Sequence, residues 1–210
     1  MKRSILILFI FVSQNVFCQE YFFDYQSTYE YRTNENDTVF SKIITLGNSS
    51  TEDYVLRILF DNKKITYESI IDFTKNEDLQ IHNLNEELEI DGNLTVDSGT
   101  PLKVIDCDDY TNKYNVEYVK VNGVKVIKIM RYKNKKKNKV ITECIIYTKP
   151  TDITKNQHFS FPQLIFPLRC SKFKLENEDV LSEVNFIENN KEVHFYKLID
   201  FKSINLKIKI

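Results

Sequence analysis

Tryptophan is absent from this sequence, and glycine and proline are scarce, with four of each in 210 residues. The glycines (Gly47, Gly92, Gly99 and Gly123) are scattered, so no glycine-rich loop exists to cradle a phosphate. No serine sits in a Gly-x-Ser-x-Gly elbow either. Histidine is rare: His82, His158 and His194 lie far apart and form no metal-spaced pair, so no zinc site is expected. His194, beside Phe195 and Tyr196, reads as a structural histidine. No cofactor is expected.

An excess of one charge is also missing. Without Lys2 and Arg3, 27 basic side chains face 30 acidic ones, a net charge of −3. Nucleic acid as a partner needs a concentrated positive field, so this balance argues against it. Long hydrophobic runs are lacking too. The longest, Ile5–Val12, falls far short of the ~20 residues that cross a bilayer, and no transmembrane segment is expected. Behind Lys2 and Arg3 it reads instead as the core of a secretory signal peptide spanning residues 1–18, with cleavage before Gln19. Cys18 raises a second reading, as a lipidated first residue. Asn15, Val16 and Phe17 stand where a lipobox wants a Leu and two small residues, so plain cleavage is preferred. The expected location is the periplasm, the outer envelope or the medium.

Cleavage leaves three cysteines, which permits one disulfide and one free thiol. Cys144 lies mid-strand on the same side as Val140 and Ile146, where a buried thiol is comfortable. Cys107 and Cys170 sit in loop-like settings and are the favoured pair.

Period-two alternation is what the chain does have. Tyr21, Phe23, Tyr25, Ser27, Tyr29 and Tyr31 alternate with polar residues, which predicts a long half-buried strand with one aromatic face. Strands follow at Thr38–Leu46 and Asp53–Phe60, with a turn at 61–63 leading into Lys64–Phe73. The stretch from Thr74 to Thr100 is polar and irregular, with short strands expected at Leu79–Ile81 and Leu88–Ile90. Asn122-Gly123, between VEYVKV and VKVIKIMRY, is the preferred two-residue hairpin loop because both positions tolerate positive φ. Val140–Thr148 adds a strand, Glu176–Val184 is compatible with a short helix, and Glu183–Ile187 and Glu192–Ile210 are strands around a turn at 188–190. Residues 19–210 therefore make a single all-β domain with at most one or two short helices. The expected architecture is a large antiparallel curved sheet (a half-barrel) or a β-sandwich.

A signal peptide cleaved before Gln19, an aromatic first strand, a meander of hairpins and a long C-terminal strand together resemble the exported open-barrel proteins of the bacterial envelope, the lipoprotein-carrier (LolA/LolB-like) class. The resemblance is one of layout over most of the mature chain. It implies an open curved sheet and a non-catalytic role.

Several stretches carry possible chemistry. Asp97-Ser98-Gly99-Thr100, behind Val96 and ahead of Val104-Ile105, matches the active-site loop of retropepsin-like aspartic proteases. That family needs a downstream apolar pair followed by glycine, and the one downstream glycine, Gly123, belongs to a hairpin turn. Asp97 is therefore expected to be a turn residue, with protease activity as a remote alternative. Asp106, Asp108 and Asp109 lack the continuation of a calcium loop. Lys133–Lys139 reads as a solvated hairpin tip. Phe159–Leu168, punctuated by Pro162 and Pro167, is apolar but neither helix nor central strand, and Phe161 and Phe166 need burial or a ligand. With Tyr21, Phe23, Tyr25 and Tyr29 they are the candidate contacts for an apolar or amphipathic ligand on a concave sheet. An envelope protein partner, with the chain as a structural or assembly component, is the alternative.

Overall fold

The computed structural model describes residues 19–33, 41–61, 64–84, 90–97, 99–102, 113–134, 136–151 and 179–210. Among the described residues twelve strands form one antiparallel sheet, open and curved rather than closed into a barrel or split into a sandwich. They are β1 (Glu20–Arg32), β2 (Ser41–Asn48), β3 (Thr51–Asp61), β4 (Lys64–Asp72), β5 (Glu77–Leu84), β6 (Ile90–Val96), β7 (Thr100–Pro101), β8 (Tyr114–Val121), β9 (Val124–Tyr132), β10 (Val140–Pro150), β11 (Asp179–Glu188) and β12 (Lys191–Lys209). Their order across the sheet is β6-β5-β4-β3-β2-β1-β12-β11-β10-β9-β8, with the short β7 pairing separately with β5. Within each half, neighbouring strands follow one another in the chain. The exception is the seam in the middle, where the first strand pairs with the last along almost its whole length.

Local chemistry accounts for the turns. Asn122 (φ 51°) and Gly123 (φ 82°) both occupy the left-handed region, as a primed hairpin turn requires. Asn189 (φ 51°) and Asn190 (φ 63°) make the same turn without glycine, which Asn tolerates best among residues with a Cβ. Between β2 and β3, the Asn48 carboxamide accepts the Ser50 amide, while Asp24 accepts both the amide and the hydroxyl of Ser49. Between β4 and β5, Asp72 Oδ1 accepts the amides of Thr74 and Lys75 and the Thr74 hydroxyl.

Curvature comes from irregular pairing. Register shifts interrupt β1–β12 twice, between Phe23 and Tyr25 and between Thr28 and Tyr29, and others occur in β3–β4, β9–β10, β10–β11 and β11–β12. An extra residue on one strand bends it and increases its twist, which a wide sheet needs in order to coil.

Both faces of the sheet are apolar, but over different strands. One core gathers Leu46, Leu56, Ile58, Ile70 and Ile81 from β2–β5 with Tyr21, Phe23 and Ile208. The other gathers Ile129, Cys144, Ile146, Val184 and Tyr196 from β9–β12 with Tyr29 and Ile43. Each buried Ile or Leu contributes on the order of 1.5–3 kcal/mol. The aromatic stripe of β1 thus does not form one surface. Tyr21 and Phe23 belong to the first core and Tyr29 to the second, and the company changes where the pairing with β12 shifts register. Tyr25, at that point, lies across Gly47, its partner on β2. A Cβ on Gly47 would stand 2.1 Å from the Tyr25 hydroxyl oxygen, so only glycine admits the ring.

One sequence expectation needs correction: the segment 179–184 is strand, not helix. Val140, at the start of β10, is exposed, whereas Cys144 and Ile146 are buried.

Candidate functional site

β3 reads TEDYVLRILFD, apolar on both sides because the strand is buried on both faces. Arg57 interrupts that run. The register aligns it with polar residues on every neighbouring strand: Ser27 pairs with Thr45, Thr45 with Arg57, Arg57 with Ser69, and Ser69 with Gln80. Directly opposed residues of adjacent strands share a face, so these five form one polar row running across β1 to β5. Ser27, Thr45, Arg57 and Ser69 are all buried, and only Gln80 is exposed.

Two apolar rows flank it on the same face. Tyr29, Ile43, Leu59 and Tyr67 are successive partners on one side. Val55 pairs with Ile71 on the other, where Phe73 and Leu102 pack against them. The first apolar row runs on through Tyr29 and Ile43 into the core of β9–β12. A polar band bordered by apolar ones is therefore built into the sheet.

The centre of the band is electrostatically incomplete. Arg57 is 8% exposed, and its Nε has no hydrogen-bond partner. The Ser69 hydroxyl opposite it, 0% exposed, has none either. Among the described residues no carboxylate pairs with Arg57. Its guanidinium instead lies 5.1 Å from the centre of the Tyr67 ring, whose hydroxyl donates to Asp78 at 2.9 Å. Glu68, the acidic neighbour of Ser69, is paired with Ile58 and points to the opposite face. There, burial raises its pKa against the hydrogen bonds of the Leu84 and Asn83 amides.

The other sequence candidates fall elsewhere. Tyr25 and Tyr29 share the face of the band through their partners Gly47 and Ile43, whereas Tyr21 packs edge-on against Tyr54 and donates to Asp72 at 2.9 Å. Phe23 also meets Tyr54. All four aromatic side chains are buried. Burial and the Asp72 hydrogen bond raise the Tyr21 pKa, and burial raises that of Tyr29. Phe161, Phe166, Cys107, Cys170, His158 and the acidic group at 106–109 lie outside the described residues. Cys144 is a buried free thiol whose pKa burial pushes well up.

Asp97 follows β6 in the short link to β7, exposed, with its carboxylate 3.1 Å from His82 Nε2 and its amide bonded to Gln80. His194 stacks on Tyr31 and shares a 3.0 Å hydrogen bond with its hydroxyl, while burial lowers its pKa. No group of three potential metal ligands occurs among the described residues. The lysine-rich segment caps the β9–β10 hairpin, with Lys137 reaching back to the Tyr114 carbonyl at 3.1 Å. No described helix is long and apolar enough to cross a membrane.

The polar row escaped sequence reasoning because its members are distant in the chain and individually ordinary. One sign was present: a lone arginine inside an uninterrupted apolar strand, VLRILF.

No family model matches this sequence, and no curated protein matches it. Among solved structures, MucB in complex with MucA(peri) is similar over 87% of this chain and 50% of that one, at 8% identity and a TM-score of 0.41. This chain spans about half the length of that protein. A LolA superfamily protein, NE2245 from Nitrosomonas europaea, is similar over 87% of each chain, at 8% identity and a TM-score of 0.38. The resemblance to the LolA-like class is weak and one of layout.

Proposed function

We propose that this chain is an exported, non-catalytic binding protein that holds an amphipathic ligand against the banded face of its curved sheet. The observation that carries the reading is the buried polar row flanked by apolar rows on β1–β5. A purely structural core has no use for such a row, since each buried polar group left unpaired costs about 1–3 kcal/mol. A ligand with polar and apolar parts would match both kinds of surface. Tyr25 and Tyr29, which share that face, are the aromatic residues assigned to it. Export rests on the N-terminal pattern of charge, short apolar run and Gln19.

The test is purification without detergent from the native host, solvent extraction and mass spectrometry. A stoichiometric amphiphile is the expected result, and a protein that retains none and takes up none fails the proposal. Intact mass should begin at Gln19. A diacylglyceryl adduct on Cys18 would replace the periplasm with a membrane anchorage.

A second reading, as an assembly partner of envelope proteins, is favoured by one observation. Among the described residues β8 is an edge strand, and it presents Tyr118, 60% exposed, with exposed Val121 and Val124 at the hairpin tip. An open edge with apolar side chains is a template for strand addition. Crosslinking from a photoreactive residue at position 118 in cells would capture such a partner.

A further inference from the structure

We infer that Arg57 is an anion-binding subsite and that the ligand's head group is a carboxylate or a phosphate. The inference rests on the amphiphile reading above and names the chemistry of that ligand's polar end.

Arginine cannot escape burial by losing its proton, as lysine or a carboxylic acid can. A charge held in a low-dielectric site is costly unless an anion or a full set of hydrogen bonds meets it. Arg57 is 8% exposed, its Nε is unpartnered, and among the described residues no carboxylate neutralises it. Asp78, which lies on the same face, accepts the Tyr67 hydroxyl on Oδ2, leaves Oδ1 unpartnered and forms no ion pair with Arg57.

What does support the guanidinium prepares it for an anion. The Tyr67 ring, 5.1 Å away, covers one side of the fork through a cation–π contact and uses no N–H group in doing so. Nε stays uncommitted, and a guanidinium fork matches the two oxygens of a carboxylate or phosphate. Directly across the strand pair, the unpartnered Ser69 hydroxyl offers a further donor. An anionic head placed between them would satisfy both orphaned groups at once. The adjoining apolar row, Tyr29, Ile43 and Leu59, would receive the chain attached to it.

The experiment measures binding to delipidated full-length mature protein with four probes: oleate, dodecyl phosphate, dodecyl maltoside and inorganic phosphate. Wild type is expected to bind the two anionic amphiphiles more tightly than the maltoside and to ignore free phosphate. Arg57→Met should weaken the anionic probes about ten- to a hundred-fold and leave the maltoside unchanged. Ser69→Ala should weaken them less. Delipidated Arg57→Met should also melt at a higher temperature than delipidated wild type, because an uncompensated charge has gone. This second readout is independent of any ligand.

Equal binding of the maltoside, or unchanged oleate binding in Arg57→Met, overturns the subsite and leaves the amphiphile reading standing. Arginine-dependent binding of inorganic phosphate alone keeps the subsite and overturns the amphiphile. Failure of all four probes overturns both. A lower melting temperature in Arg57→Met would mean that the chain itself already satisfies the charge, and would also overturn the subsite.

Discussion

Glu68 and Asp72 lie two turns of the pleat apart on the same side of β4, and their surroundings push them in opposite directions. Burial raises Glu68, and the amides of Leu84 and Asn83 only partly offset it, with Oε2 left unpartnered. Burial also opposes ionisation of Asp72, yet Thr74, the Lys75 amide, Tyr21 and Gln19 outweigh it and hold its pKa low. The native state therefore binds the Glu68 proton more tightly than the unfolded chain does. Stability falls as pH rises from the ordinary glutamate value through the raised one. Glu68→Gln should remove that loss and raise the melting temperature at neutral pH by about 2–4 °C, for about 1 kcal/mol gained. Asp72 works the other way: its contribution is present above the ordinary aspartate value and disappears as pH falls through the lowered one. Asp72→Asn should cost about 1–3 kcal/mol at pH 7 and flatten the acid limb of the unfolding curve, which denaturant titrations at several pH values would show. At Gly47 the determinant is space. Gly47→Ala should destabilise by about 1–3 kcal/mol, and Tyr25→Ala in the same chain should relieve part of that penalty. None of these three sites was visible in the sequence, because each depends on a residue brought alongside by pairing or by a turn.

Elements differ in how far they were legible, and the difference follows the distance over which they are specified. The β8–β9 hairpin was readable because Asn122-Gly123 carries its own turn geometry. β5 and β6 are less legible, since their apolar positions are sparse and their lengths are set by pairing: the expected strand Leu79–Ile81 is the middle of β5, and Leu88–Ile90 lies almost wholly outside the described residues. The segment after Asp179 is compatible with a short helix in the sequence and is strand in the structure, for a specific reason. Leu181 and Val184 are three residues apart, a helical spacing, and both enter the same core. A strand achieves this through an extra residue: Thr148 pairs with Leu181 and Tyr147 with Glu183, leaving Ser182 as the bulge, its hydroxyl donating to the Tyr147 carbonyl. A bulge thus imitates the helical period. The β11–β12 turn offers a direct test of turn chemistry. Asn190 holds φ 63°, and Asn190→Gly should stabilise the protein by a few tenths to about 1 kcal/mol in a denaturant titration, whereas Asn190→Val should cost more than that.

At the scale of the molecule, periodicity announced a large antiparallel sheet but left half-barrel and sandwich equally open, since alternation looks the same whichever way a sheet curls. The register shifts that decide the matter are single residues without a compositional mark. What the sequence conceals most completely is the seam, in which Glu20 faces Lys209 and Arg32 faces Phe195 in the middle of the sheet. Removing residues 199–210 should accordingly unfold more than an edge. It strips the partner from β1 between Glu20 and Thr28, and loss of the cooperative melting transition is the expected result.

The seam also imposes an order of events in time. A chain made from its N-terminus presents its first strand long before the complement exists, and each half of the sheet zips from local hairpins while the centre waits. β12 completes the spine, so the nascent protein carries an open central edge until that strand emerges. Gln19 and Ile210 exchange two backbone hydrogen bonds of 2.8 Å, so these two residues lie side by side. A permuted chain, joined from Ile210 to Gln19 by a short flexible linker and opened at Gly123, would turn this slowest, most distant contact into a hairpin. Its refolding, followed by stopped-flow fluorescence of the tyrosines, should be faster than that of the natural order.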